Sequence, residues 1–140
     1  SLQQDVNIGD IVLCERAIRD EGSSHHYLPL GKYSYPDESF TRKFGSSLKA
    51  NAVNFRVGTS WTIDSPYRET VAEAKHYQAE GVITVEMEAS ALFAVAAYRK
   101  IPIASAFTIS DSLADLKWRP EFHSEQTQSG LEKLYQSAIF

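Results

Sequence analysis

Between residues 82 and 109 a short apolar run gives way to an alanine-rich stretch and then to a second apolar run, and no other feature narrows the possible folds as much. Val82-Ile83-Thr84-Val85 reads as a short buried strand, Glu88 to Arg99 as a helix, and Ile101 to Ile109 as another apolar strand. Strands that alternate with helices belong to a largely parallel or mixed sheet, because each helix must bury its apolar side against a sheet face.

The flanking sequence continues the alternation. Asp10 to Ile18 begins as an unbroken apolar run with β-branched residues and predicts a buried strand. From Arg19 to Pro36, Gly22, Pro29, Gly31 and Pro36 with paired serines and histidines predict a loop, of a length commoner in functional or interface arms than in passive connections. Phe40, Phe44 and Leu48 recur every four residues after Pro36-Asp37, which predicts a short amphipathic helix weakened by Gly45. Val53, Phe55 and Val57 alternate with Asn54, Arg56 and Gly58, the pattern of a half-buried strand that continues through Trp61 and Ile63. Asp64-Ser65-Pro66 offers an N-cap and a proline at the first helical position, so a helix is expected over Arg68 to Glu80, stopped by Gly81. After a polar stretch ending in Pro120, a last helix is expected near Gln128 to Ile139, built on Leu131, Leu134, Tyr135 and Ala138.

At 140 residues one domain is the default. A chain of this size buries roughly 68% of the surface its unfolded form exposes, enough for a core without metals or disulfides. Cys14 is the single cysteine, so no intramolecular disulfide can form, and a small buried apolar role is expected for it. Lys plus Arg total 14 against 18 for Asp plus Glu, and the formal charge of −4 with no basic stripe argues against nucleic acid as a partner. The longest apolar stretch, Ala89 to Tyr98, falls short of the ~20 residues that cross a bilayer, and no signal peptide is visible. His25 and His26 do not make a zinc site, since zinc needs three or four convergent ligands at defined spacing and the chain has one cysteine and four scattered histidines.

Ligands of such sheets sit beyond the carboxyl ends of the strands. Two of those ends carry acids: Glu86 and Glu88 follow the strand ending at Val85, and Asp111 follows the strand ending at Ser110. Alone, Glu86-Met87-Glu88 is what a helix start prefers, because acids favour the positive end of the helix dipole, and Asp111 alone is an ordinary cap.

Together, Val85-Glu86-Met87-Glu88-Ala89-Ser90-Ala91 and Phe107-Thr108-Ile109-Ser110-Asp111 resemble the nucleoside phosphorylase and nucleosidase superfamily, in the branch that contains hexameric purine nucleoside and uridine phosphorylases. Asn7-Ile8-Gly9-Asp10-Ile11-Val12 resembles the strand entry after that family's phosphate loop. Gly58-Thr59-Ser60-Trp61 with Asp64-Ser65-Pro66-Tyr67 resembles its base-side segment. The resemblance implies a phosphorylase/hydrolase-like three-layer α/β fold with a mixed, largely parallel central sheet, here lacking N-terminal strands, as a single partial domain over residues 1–140. It also implies a cytoplasmic enzyme of purine salvage, a homo-oligomer acting on a nucleoside and phosphate with no other cofactor.

Each residue in the resembling segments has a chemical reason to be there. A carboxylate that accepts from both vicinal hydroxyls of ribose holds the sugar more tightly than a neutral group, the role expected of Glu88. Met87 offers a polarizable surface to the sugar face, and Glu86 orients backbone or water nearby. Cleavage of an N-glycosidic bond builds negative charge on the departing base, so a nearby acid lowers the barrier; Asp111, with Ser110 beside it, resembles the residue that protonates purines. Burial and a neighbouring carboxylate are the two influences that would keep such an acid protonated at neutral pH. Thr59, Ser60, Trp61 and Tyr67 are the base-side candidates, with the two aromatic rings suited either to stacking on a base or to the core. The family also uses an arginine beyond its general acid; Arg119 lies in the right stretch at a poorly matching spacing.

Phosphorolysis needs an anion cradle, generally backbone N–H groups of a glycine-rich turn with arginines. In the resembling family that turn precedes the segment like Asn7 to Val12, and only six residues precede it here, opening with Ser1-Leu2-Gln3-Gln4 and no methionine. The expectation is therefore a C-terminal portion with little or no phosphorolytic activity alone. Within the family Asp111 favours a purine over uracil, since Tyr67-Arg68-Glu69 stands where a Gln-x-Arg would read a pyrimidine. A nucleosidase using water shares the same residues, and a non-catalytic truncated subunit is the remaining alternative.

Overall fold

The computed structural model describes residues 1–139. Its centre is a mixed sheet built on two long strands, β1 (Ile11–Asp20) and β3 (Arg56–Ile63), which run parallel with Val12 opposite Arg56 and Asp20 opposite Ile63. The short strand β4 (Thr84–Glu86) lies parallel on the far edge of β3. The other edge of β1 serves two short antiparallel partners: β2 (Tyr33–Ser34) against Ala17 and Ile18, and β5 (Ala106–Thr108) against Ile11 to Leu13. A separate two-stranded ribbon joins β6 (Asp111–Ser112) to β7 (Arg119–Pro120). Four helices complete the fold: α1 (Glu38–Ala50), α2 (Val71–Ala79), α3 (Ala89–Arg99) and α4 (Glu125–Ala138).

Alternation along β1 divides the core. Ile11 and Leu13 enter one cluster with Phe44 and Leu48 of α1 and with Leu134 of α4. Val12 joins Val6 and Ile109 in another. A register shift between Cys14 and Arg16 interrupts the ladder, and beyond it Ala17 packs with Ala89 and Phe93 of α3 while Ile18 packs with Trp61 and Ile63. Full burial of a side chain such as Leu48 or Phe93 stabilises the fold by about 1.5–3 kcal/mol each, so these four clusters hold the helices to the sheet. The approach of α4 requires Gly130: a Cβ there would lie 1.9 Å from Thr108 Oγ1 of β5.

Most expected elements are present, with four informative differences. The segment from Ile101 to Ile109 forms only the short strand β5, antiparallel to β1, rather than a parallel neighbour of β4, because the open edge of β1's first half is where its hydrogen bonds are taken up. From Gly58 to Ile63 β3 is buried at every position, not at alternate ones, since it lies between β1 and β4 with both faces covered, while Val57 is exposed. The stretch between Arg19 and Pro36 is not all loop: it continues β1, forms a 3-10 turn at Ser24–His26 and supplies β2.

The fourth difference concerns the segment after β3. Pro66–Arg68 forms only a 3-10 turn, and the helix starts at Val71, capped by Thr70. Thr70 Oγ1 accepts from the Glu73 N–H (3.2 Å) and the Glu73 carboxylate accepts from the Thr70 N–H (3.0 Å), a reciprocal capping box stronger than the cap expected at Asp64. Asp64 instead accepts from the Gly22 N–H at 3.0 Å. Glu69 is left in an extended conformation (φ −58°, ψ 123°) between the two turns. No helix among the described residues is long and apolar enough to cross a membrane.

Candidate functional site

A cavity of about 700 Å³ lies beside the ends of β3 and β4. One wall comes from Ile63, Pro66, Tyr67, Glu69 to Val71 and Ala74, a second from Val85 to Glu88, and a third from Ser110, Asp111, Leu113, Leu116, Trp118 and Phe122. The third wall is the β6–β7 ribbon and its approaches, tied down by the first residues of the chain. The Ser1 nitrogen donates to the Asp111 carbonyl (2.7 Å), the Leu113 N–H to the Ser1 carbonyl (2.8 Å), and the Leu2 N–H to the carbonyl of Ile83 just before β4 (2.9 Å). These links carry Asp111 to the cavity even though β5 runs against β1, β3 and β4.

The turn from β4 into α3 is organised by Glu86. Its Oε1 accepts from Ser60 Oγ (2.9 Å) and Thr62 Oγ1 (2.5 Å), and its Oε2 from the N–H groups of Glu88 (2.7 Å) and Ala89 (2.6 Å). Four donors consume this carboxylate, so it satisfies the first N–H groups of α3 and locks the turn to β3. Glu88, at the N-cap position of α3, makes no capping bond and meets only the Met87 N–H at 3.3 Å; its carboxylate and the exposed Met87 side chain remain turned to the cavity. Asp111 accepts one hydrogen bond at Oδ2 from Trp118 Nε1 (2.9 Å). Trp118 in turn packs against Phe122 with ring centres 6.0 Å apart.

Of the residues singled out in the sequence, Tyr67, Glu86, Met87, Glu88, Ser110 and Asp111 meet at this one cavity. Thr59, Ser60 and Trp61 do not line it. Trp61 is fully buried in the core, its ring 4.7 Å from that of Tyr77 and its Nε1 donating to Asp20 (2.8 Å), so of its two expected roles the structure gives it the core one. Thr59 accepts from Arg16 Nε (2.9 Å), and Ser60 acts on the site only through Glu86. Arg119 pairs with Asp115 and lines a different cavity of about 450 Å³, so the group that reaches Asp111 is its neighbour Trp118. His25 stands in the 3-10 turn beside Arg19, with Nδ1 3.4 Å from Nη2.

Among the lining residues that sequence reading missed are Trp118, Phe122 and Glu69. Trp118 and Phe122 carried no signal beyond being aromatic in a polar stretch. Glu69 could have been found, because Thr70-x-x-Glu73 is a visible capping box that fixes the N-cap of α2 one residue beyond it. Burial, with Asp111 and Glu73 nearby, raises the Glu69 carboxyl above its ordinary value. No arginine, lysine or histidine is among the described residues lining this cavity.

The fold and site define an α/β protein with a small-molecule cavity walled by carboxylates and aromatic rings on one side and by the tips of parallel strands on the other. The chain belongs to the Phosphorylase superfamily, whose family description matches residues 1–138. It is 31% identical over 116 residues to a DeoD-type purine nucleoside phosphorylase of Alkaliphilus metalliredigens, covering 81% of this chain and 49% of that protein. It is 27% identical over 141 residues to the DeoD-type purine nucleoside phosphorylase of Bacillus cereus (strain B4264), covering 99% of this chain and 58% of that protein. The chain thus spans about half the length of these relatives. Its fold matches that of a Plasmodium knowlesi homologue of a P. falciparum PNP (TM-score 0.76, 22% identity, 100% of this chain and 60% of that one). It also matches an AMP nucleosidase from Bacteroides thetaiotaomicron (TM-score 0.73, 27% identity, 93% of this chain and 54% of that one).

Proposed function

We propose that this chain carries the sugar and base sides of a nucleoside phosphorylase site, which moves a pentosyl group from a purine nucleoside to phosphate. One observation supports the reading above the others: Glu88 and Asp111, from different elements, open onto the same cavity. Glu88 has free acceptor capacity for a pair of sugar hydroxyls, with Met87 beside it as an apolar face. Asp111 lines the same cavity with Ser110 beside it in the chain, and Tyr67 lies on another wall, an arrangement that suits Asp111 to serve the base. As the C1′–N bond breaks, protonation of the base nitrogen by Asp111 relieves the charge left on the leaving group. Glu86 acts as a positioning residue, holding the Met87-Glu88 turn through its four hydrogen bonds.

Among the described residues the lining offers phosphate no cationic side chain, so this chain alone is expected to bind a nucleoside and turn it over little or not at all. Calorimetric titration with inosine or adenosine, alongside base release with and without phosphate, tests the reading. Binding of a purine nucleoside that is weakened by Glu88→Gln supports it; no binding of any nucleoside at millimolar concentration rejects it. Hydrolysis is the second reading, favoured by the likeness to an AMP nucleosidase. Base release that proceeds without phosphate selects it.

A further inference from the structure

Glu21, directly after β1, is a buried carboxylate (7% exposed) that does not line the cavity. It accepts from the Ser23 N–H (2.6 Å), the Ser24 N–H (2.9 Å) and the Ser90 hydroxyl (2.5 Å). We propose that Glu21 is a positioning residue for Glu88: through Ser90 it fixes the first turn of α3, and with it the reach of the Glu88 carboxylate to the sugar hydroxyls; this rests on the nucleoside-binding reading above.

The route from Glu21 to Glu88 is continuous. Ser90 is the second residue of α3, two positions after Glu88, and three parts of the chain hold its polar groups. Its hydroxyl donates to Glu21, its N–H donates to Thr62 Oγ1 (3.0 Å), and its carbonyl accepts from Ser34 Oγ (2.9 Å). The same Thr62 hydroxyl donates to Glu86, whose other oxygen takes the N–H groups of Glu88 and Ala89. The carboxyl ends of β1, β3 and β4 thus each send one side chain to this turn, Glu21, Thr62 and Glu86 in order across the sheet. Glu88 has no capping bond of its own and goes where the turn carries it.

The chemistry of the link calls for an acid. Three donors converge on Glu21, and a carboxylate, which only accepts, can meet them all. An amide would turn its NH₂ toward a donor and leave a buried group unpaired. The far side of the link is fixed as well: buried Arg19 donates to Ser24 Oγ (2.9 Å) and to the Pro29 carbonyl (2.7 Å). A paired grip on two vicinal hydroxyls depends on alignment, so a small rotation of the first turn of α3 costs Glu88 one of them and leaves contacts to the base in place.

Calorimetric titration of the full chain with inosine and with 2′,3′-dideoxyinosine, which lacks both hydroxyls, is the test. Glu21→Gln is expected to weaken inosine about tenfold, the scale of coupling within one hydrogen-bond network, and dideoxyinosine no more than about twofold. In a Glu88→Gln background the same substitution is expected to cost inosine no more than about twofold, because the group it positions is already gone. Ser90→Ala cuts the link while leaving Glu21 its two backbone donors, and is expected to repeat the selective loss even if Glu21→Gln does not fold. Equal weakening of the two nucleosides, an inosine loss undiminished in Glu88→Gln, or unchanged inosine affinity in Ser90→Ala makes Glu21 a structural acid only and overturns its role, while nucleoside binding by the wild type still stands. Failure of the wild type to bind any nucleoside removes the functional reading and the role of Glu21 with it.

Discussion

Trp118 Nε1 donates to Asp111 Oδ2 at 2.9 Å across the β6–β7 ribbon, which joins one of the cavity's carboxylates to an exposed aromatic ring in its wall. The ribbon's own ladder pairs Asp111 with Pro120 and Ser112 with Arg119, so Trp118 is carried back over Asp111 by the hairpin. Trp61, the other tryptophan, is fully buried away from the cavity. Ligand-induced change in indole fluorescence should therefore come from Trp118. A purine nucleoside is expected to quench it in the wild type and to have little effect in Trp118→Phe, as read by fluorescence titration. Equal quenching in both proteins would place the ligand elsewhere.

Glu86 and Glu88 sit two residues apart and should fail differently. Glu86→Gln replaces a charged acceptor by an amide whose NH₂ faces backbone donors, and a loss of about 1–3 kcal/mol is expected by denaturant unfolding. Glu88→Gln removes only free acceptor charge, so the melting point should stay close to that of the wild type. Its nucleoside affinity should fall about tenfold to hundredfold, equivalent to the loss of one or two charge-assisted hydrogen bonds.

Gly130→Ala should destabilise the fold despite improving helix propensity. The substitution gains up to about 1 kcal/mol in a helix interior, but overpacking costs about 3 kcal/mol when the new atom meets an immobile neighbour. Here the Cβ would overlap Thr108 Oγ1 and lie 3.2 Å from the Gly9 carbonyl, so the overpacking term wins. Thermal unfolding of the variant, with a melting point unchanged or raised, would contradict this account of α4 docking.

Two glutamates should give opposite pH dependences. Burial alone would raise the Glu21 carboxyl, but the hydroxyls of Ser24 and Ser90 and the N–H groups of Ser24 and Ser23 outweigh it and hold it below the ordinary range. Its contribution is present above the unfolded glutamate value of about 4.3 and is lost as pH falls through its lower folded value. Glu69 is raised in the folded chain, so its contribution is present below the unfolded value and is lost as pH rises through the folded one. Urea unfolding across pH should show Glu21→Gln losing its stability deficit in acid and Glu69→Gln gaining on the wild type toward neutrality.

Cys14 should be inert in the native state. It is fully buried, and burial followed by the Glu86 charge pushes its thiol up to about 12, so little thiolate is available. Iodoacetamide at pH 8 should label it only after unfolding, as mass spectrometry would read.

Much of this was legible in the amino-acid order. The amphipathic spacing of Phe40, Phe44 and Leu48 and the alanine-rich run after Glu88 define α1 and α3, because helix periodicity is a local property of the chain. The pairing of Glu86-Met87-Glu88 with Ser110-Asp111 pointed to residues that do meet at one cavity. Strand partnership was not legible in this way: β5 is apolar whether it runs with or against β1, and only the free edge of β1 decides. Neither was the division of labour among neighbours. Trp61 and Tyr67 are both aromatic, but one lies on a central strand and the other on a solvent-facing turn. Glu86 and Glu88 are the same residue type two positions apart, and what separates them is that Ser60 and Thr62 of β3 lie opposite only one of them. Local sequence set the elements and brought the acids to their ends. Long-range packing chose which acid is consumed by the fold and which is left facing the cavity, because that choice depends on donors supplied by distant parts of the chain.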